Sequence, residues 1–159
     1  MQKITENLHV GTIEDYEAVA SDDSWHCVIA AKEPMHRKAL GYTGRACDKN
    51  HPEYLYAERG NAFICNLIDV DDVRYIGKAI IDKAVQYAVS FVLNDYEVLV
   101  CCNKGESRSP VVAMLVLKAL NYFGDISFEV AEEEFKELYP KYNPRKGMRD
   151  FAVAHWDEY

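Results

Sequence analysis

With 159 residues, 49% of them apolar and 28% charged, the chain is long enough for one compact domain with a real core and short for two. Its 18 Lys and Arg stand against 26 Asp and Glu, and the net charge of -8 excludes a general nucleic-acid or acidic-membrane binder. Only a local basic site is left for an anionic ligand.

No stretch approaches the roughly 20 apolar residues of a membrane span, and the start from Met1 to Asn7 lacks the apolar core of a signal peptide, so a cytoplasmic protein is expected. The five cysteines, Cys27, Cys47, Cys65, Cys101 and Cys102, are odd in number and contain no CxxC pair. Neither a disulfide framework nor a zinc site is indicated, and each cysteine reads first as a small buried hydrophobe.

In chain order, Leu8 to Val10 is a short strand and Ile13 to Ala20 a weak helix. Trp25 to Ala31, Ala62 to Leu67 and Val98 to Cys101 are short runs rich in Val, Ile and Phe, the pattern of strands buried on both faces. Between the last two, apolar residues at Ile76, Ile80, Ala84, Tyr87, Ala88 and Phe91 recur every three or four positions and predict a helix over Val73 to Leu93. Pro110 to Phe123, closed by Gly124, predicts another, because proline suits a helix start and glycine its end. Ser127 to Leu138 and Gly147 to Trp156 complete the set.

This alternation implies an α/β fold: a mostly parallel central sheet of four or five strands with helices on both faces. One domain over 1–159 is expected, with an insertion at about 32–60 that interrupts the rhythm and carries Pro34, Gly41, Gly44 and Pro52. The insertion holds six basic residues (Lys32, Arg37, Lys38, Arg45, Lys49 and Arg59) and four acids, a net +2 that leaves -10 for the rest. Its arginines are expected at the rim of a site for an anionic substrate, and a solvated loop is the plainer alternative. His36, His51 and His155 have no metal-ligand spacing, and Lys141, Arg145, Lys146 and Arg149 read as a solvated loop and helix start rather than the border of a site.

Ligands of such sheets collect beyond the carboxyl ends of the strands. The segment leading there is Val98-Leu99-Val100-Cys101-Cys102-Asn103-Lys104-Gly105-Glu106-Ser107-Arg108-Ser109-Pro110. A cysteine leaves a buried strand, a helix begins at about Ser109, and a glycine with small polar residues lies between. Successive backbone N–H groups in such a turn converge into a nest for an anion at the positive end of a helix dipole, and Arg108 adds a planar fork for two phosphate oxygens. The same field favours the thiolate of Cys102, which is then placed to attack phosphorus.

These residues resemble the signature of the dual-specificity branch of the cysteine-dependent protein tyrosine phosphatases: His-Cys, five residues, Arg, Ser. The match covers Cys102, Gly105, Arg108, Ser109 and Pro110, and extends weakly to Ile4 through Gly11. The resemblance implies that Cys102 forms a cysteinyl-phosphate and that Arg108 holds the phosphoryl oxygens. Ser109 helps the thiolate leave, and Asn103 through Arg108 cradle the phosphate. It implies neither metal nor cofactor. The substrate is then a phosphorylated protein, with phosphotyrosine, phosphoserine or phosphothreonine, or a small phosphomonoester such as a nucleotide, RNA end or inositol phosphate.

The family's acid follows two alternating apolar residues, which here match Ile68 and Val70 and select Asp72, with Asp71 and Asp69 as alternatives. Cys101 stands where the family has histidine and is expected to point away from Cys102 into the packing. Glu106 is expected to turn outward, since a carboxylate facing the phosphate would repel it. Two rival readings are a phosphate-recognition module without turnover and a thiol redox protein built on Cys101 and Cys102.

Overall fold

The computed structural model describes residues 1–159. Its elements are β1 (Gln2–Lys3), β2 (Leu8–Thr12), α1 (Ile13–Val19), β3 (Trp25–Ile29), α2 (Arg37–Leu40), β4 (Tyr56–Arg59), β5 (Ala62–Cys65), α3 (Lys78–Leu93), β6 (Glu97–Cys102), α4 (Arg108–Ala119), α5 (Phe128–Leu138) and α6 (Lys146–His155). The six strands form one sheet in the order β1-β2-β6-β3-β5-β4. β2, β6, β3 and β5 are mutually parallel, and β1 and β4 join antiparallel at the two edges. The expected α/β fold is present, with both edge strands added to the four parallel ones.

β6 sits in the middle because its side chains are apolar on both faces. Val98, Val100 and Cys102 pack into the larger core with α3, α4, α5 and α6, while Leu99 and Cys101 pack with Ile13, Val19, Cys27 and Ile29 on the other side. Period-two alternation along one strand thus separates two adjacent cysteines onto opposite faces. The connection after β2 leaves through α1 on the small-core face, and the one after β6 leaves through α4 on the large-core face. The carboxyl end of β6 therefore opens at the crevice where connections diverge.

α4 is buried from Ser109 through Leu117 without a break, as expected of a helix with sheet on one side and α3 and α6 on others. It begins at Arg108, two residues before Pro110, so the proline lies in its first turn, where no N–H is needed. The helix predicted from Val73 is shorter than expected. Asp72 caps a single 3-10 turn at Val73–Tyr75, Ile76 and Gly77 are extended, and α3 starts at Lys78. The 32–60 segment, expected as an insertion, is also less irregular than its composition implied. Lys32–His36 and α2 form helical turns, and Tyr56–Arg59 supplies the edge strand β4, paired with β5 from Arg59 opposite Ala62 to Tyr56 opposite Cys65.

Candidate active site

Asn103 through Ser107 turn between the end of β6 and the start of α4. Gly105 is in the left-handed region at φ +70°, and a Cβ there would lie 3.1 Å from both Gly11 O and Tyr139 Oη, so glycine is required twice over. The turn is held from outside. Tyr139 Oη donates to Gly105 O at 2.7 Å, and Asn143 N–H donates to Glu106 O at 2.8 Å. With these carbonyls occupied on the outer side, the N–H groups of Asn103 to Ser107 form no backbone hydrogen bond of their own. Together with the N-terminus of α4 they form a cradle of unpaired donors, the kind of group a tetrahedral oxyanion accepts from.

Cys102 lies at the floor of this cradle, only 2% exposed, with Sγ 3.1 Å from Ser109 Oγ. The same hydroxyl is 3.4 Å from Gly11 O, so it can donate to the sulfur or to the carbonyl. Arg108 is oriented by two contacts: Nη1 donates to Leu67 O at 3.1 Å and Nη2 to Asn103 Oδ1 at 2.6 Å. Asn103 is fixed in turn by its Nδ2–H donating to Glu33 O at 3.0 Å, a hydrogen bond that ties the loop to the 32–60 segment. Arg108 Nε is buried and unpaired within the protein. A guanidinium has five donors, so three remain for an oxyanion.

A cavity of about 290 Å3 opens above Cys102. Asn103, Lys104, Glu106, Ser107 and Arg108 form its sides, and Asp69, Asn143 and Arg145 close it from beyond the loop. Asp69 Oδ1 accepts from Ser107 Oγ at 2.8 Å, and that hydroxyl accepts from Arg145 N–H at 2.9 Å. A larger cavity of about 730 Å3 lies between Lys49–Glu58 and α3, and its lining includes no cysteine or arginine.

The acid expected at Asp72 is placed differently. Asp72 does not line the cavity; it pairs with Arg74 at 2.6 Å, and its hydrogen bonds to Arg74 hold its carboxyl down at about 2. Asp71 faces Arg145, with Nε donating to Oδ1 at 3.1 Å, which keeps it below the usual carboxylate range. Asp69 is the member of the trio that reaches the cavity. The physical reason is the docking of this loop on the start of α6. Gly147 N–H donates to Val70 O at 3.1 Å, and Arg145 Nη1 donates to Asp69 O at 2.8 Å. The contact at Gly147 is so close that a Cβ would fall on the Val70 carbonyl.

Cys101 is fully buried beside Cys27 and Ile29, and burial pushes its thiol well above the ordinary value. Glu106 is exposed, yet it lines the cavity and does not turn clear of it as expected. The insertion's arginines do not line the cavity. Arg37 pairs with Glu33 at 2.7 Å and Arg59 with Glu53 at 2.6 Å, while Arg45 contributes its carbonyl to Lys32. Their place is taken by Arg145, from the basic cluster read as solvated, and by Asn143. Pro144 between them was the only local signal that this connection is rigid enough to form a wall.

No sequence-family model and no curated protein matches the chain. Solved structures do. The PTP-2 phosphatase of Cydia pomonella matches with a TM-score of 0.63 at 16% identity, over 96% of this chain and 88% of that one. Human DUSP28 matches with a TM-score of 0.60 at 17% identity, over 98% and 91%. This chain has the dual-specificity phosphatase fold. A human tyrosine phosphatase-like serine/threonine/tyrosine-interacting protein matches the same fold equally well, with a TM-score of 0.63 at 15% identity over 99% and 95%. The dual-specificity phosphatase fold is thus shared by phosphatases and by a phosphatase-like interacting protein, and the chemistry has to be argued from the loop.

Proposed function

We propose that this protein is a cysteine-dependent phosphatase that hydrolyses a phosphomonoester through a phosphorylated Cys102. The observation that carries the reading is one cavity lined by Cys102, by Arg108 and by a loop whose N–H groups make no backbone hydrogen bond. A phosphate seated there has its oxygens on the amides and guanidinium and its phosphorus above sulfur.

The thiolate attacks phosphorus, the bond from phosphorus to the ester oxygen breaks, and that oxygen leaves with the electron pair and a proton. We assign the proton to Asp69, in place of the Asp72 implied by the family pattern, because Asp69 borders the cavity and Asp72 is engaged by Arg74. In the second step a water gives its proton back to the Asp69 carboxylate and attacks phosphorus, and the sulfur leaves as thiolate. Ser109 Oγ, 3.1 Å from the sulfur, stabilises that departure. The sum is ester plus water to alcohol plus phosphate.

A pure phosphate binder needs neither the thiol nor the hydroxyl beside it. A redox pair of Cys101 and Cys102 is disfavoured by their packing into cores on opposite faces of the sheet. The test is hydrolysis of an activated aryl phosphate without added metal. The native protein should release phosphate and Cys102→Ser should not; equal release by both would end the proposal.

A further inference from the structure

The walls of the cavity say what kind of alcohol the phosphate is attached to. A phosphotyrosine pocket has to receive a phenyl ring, which is stabilised by apolar or aromatic sides. Here Cys102, at the floor, is the one apolar residue in the lining, and no aromatic side chain is part of it. Tyr139 and Tyr142 lie behind the loop, buried, with their hydroxyls committed to Gly105 and Glu132. A phenyl ring seated there would find no apolar wall to pack on and would leave the Glu106 carboxylate and the Asn143 amide facing it without a partner.

The walls beyond the phosphate cradle carry both signs of charge, with Lys104 and Arg145 beside Glu106, and Asp69 as the proton donor. Arg145 and Asp69 are already bonded to Asp71 and Ser107. The side chains of Lys104, Glu106 and Asn143 are exposed and take no part in those bonds. They are a donor, an acceptor and a group that is both. A lone carboxylate beside a phosphate site is unfavourable unless the ligand brings it a donor, and Glu106 has none from the protein. Neutral hydroxyl groups answer all three side chains at once.

From this, and resting on the phosphatase reading above, we infer that the substrate is the phosphomonoester of a polyhydroxylated aliphatic alcohol, a polyol or sugar phosphate. In this arrangement Glu106 accepts hydrogen bonds from the ligand's hydroxyls, and Lys104 and Asn143 complete their recognition. The net charge of -8 opposes approach to an anionic bilayer, so the soluble ester is favoured over the same headgroup in a membrane.

Calorimetric titration of Cys102→Ser with myo-inositol 1-phosphate, phenyl phosphate, a phosphoserine peptide and orthophosphate tests the inference without turnover. The polyol ester is expected to bind at least about tenfold tighter than phenyl phosphate or the peptide. In the same background Glu106→Gln should weaken the polyol ester about tenfold and tighten orthophosphate, because it removes both an ionic acceptor and a like charge. Equal or tighter binding of phenyl phosphate or the peptide, or loss of both ligands with Glu106→Gln, would overturn it. Native protein given the soluble ester and vesicles carrying a phosphatidylinositol phosphate separates the two sources, the soluble ester being turned over faster; faster turnover on vesicles would overturn the soluble assignment. If the native protein hydrolyses nothing, activated aryl phosphate included, the phosphatase reading fails while the binding order still decides the ligand class.

Discussion

At Arg108 the guanidinium reaches Leu67 O and Asn103 Oδ1 and keeps Nε free, an arrangement that depends on a planar fork. Arg108→Lys is expected to lower both oxyanion affinity and turnover, because an ammonium cannot hold Asn103 and two phosphate oxygens together; vanadate inhibition and steady-state rates measure this. Asp69→Asn keeps an acceptor for Ser107 and removes the proposed acid. It should cut turnover about a hundredfold or more on an alkyl ester and far less on an activated aryl ester, whose leaving group needs no proton. Asp72→Asn should leave that leaving-group dependence as it is, since Asp72 is held ionised beside Arg74. Dependence appearing at Asp72 instead would mean the loop turns during catalysis. Cys101, Cys102, Arg108 and Ser109 were all legible in the sequence, because each is fixed by its distance from a buried strand or a helix start. Which of Asp69, Asp71 and Asp72 borders the cavity was not, because it depends on contacts with Arg145 and Gly147, more than seventy positions away.

The elements around the loop act as its frame. Gly147 at the start of α6 lets the backbone of Val70 approach, and Gly147→Ala would push the two apart. That substitution should destabilise by about 1–3 kcal/mol in urea unfolding and lower kcat on alkyl esters more than on activated ones, because Asp69 moves with Val70. In the insertion, His36 is fully buried and neutral: Nε2–H donates to Glu53 O at 2.8 Å and Nδ1 accepts from Tyr42 at 3.1 Å. Burial lowers its proton affinity below the ordinary 6.5. The unfolded chain therefore takes up a proton first, so the stability His36 supports is complete above about pH 6.5 and declines as pH falls through its lowered folded value. The urea midpoint should drop between pH 7.5 and 5.5, and His36→Gln should lose part of that drop; an identical drop in the variant would count against it. The sequence hid these roles because the insertion's polar composition looks the same whether its charges are solvated or paired to one another. The edge strand Tyr56–Arg59 was hidden likewise, since only Tyr56 and Ala57 are covered.

Across the whole molecule, the parallel sheet and its helices could be read from periodicity, since strands and helices buried by their neighbours carry the strongest patterns. The edge strands β1 and β4, pairing on one side only, carried little signal. The cavity was legible as a floor and a cradle, and its far wall was not, because Asp69, Asn143 and Arg145 come together only when the α5 to α6 connection folds over the loop. The central claim, that Cys102 carries the phosphoryl group between the two steps, is tested most directly by mixing the protein with an excess of activated aryl phosphate, quenching in acid within the first turnover and locating phosphate on the chain by mass spectrometry. Phosphate on Cys102, absent from Cys102→Ser and lost with time in the native protein, is the predicted result. Ester hydrolysis with Cys102 unmodified at every time point, or with the phosphate on another residue, would contradict it.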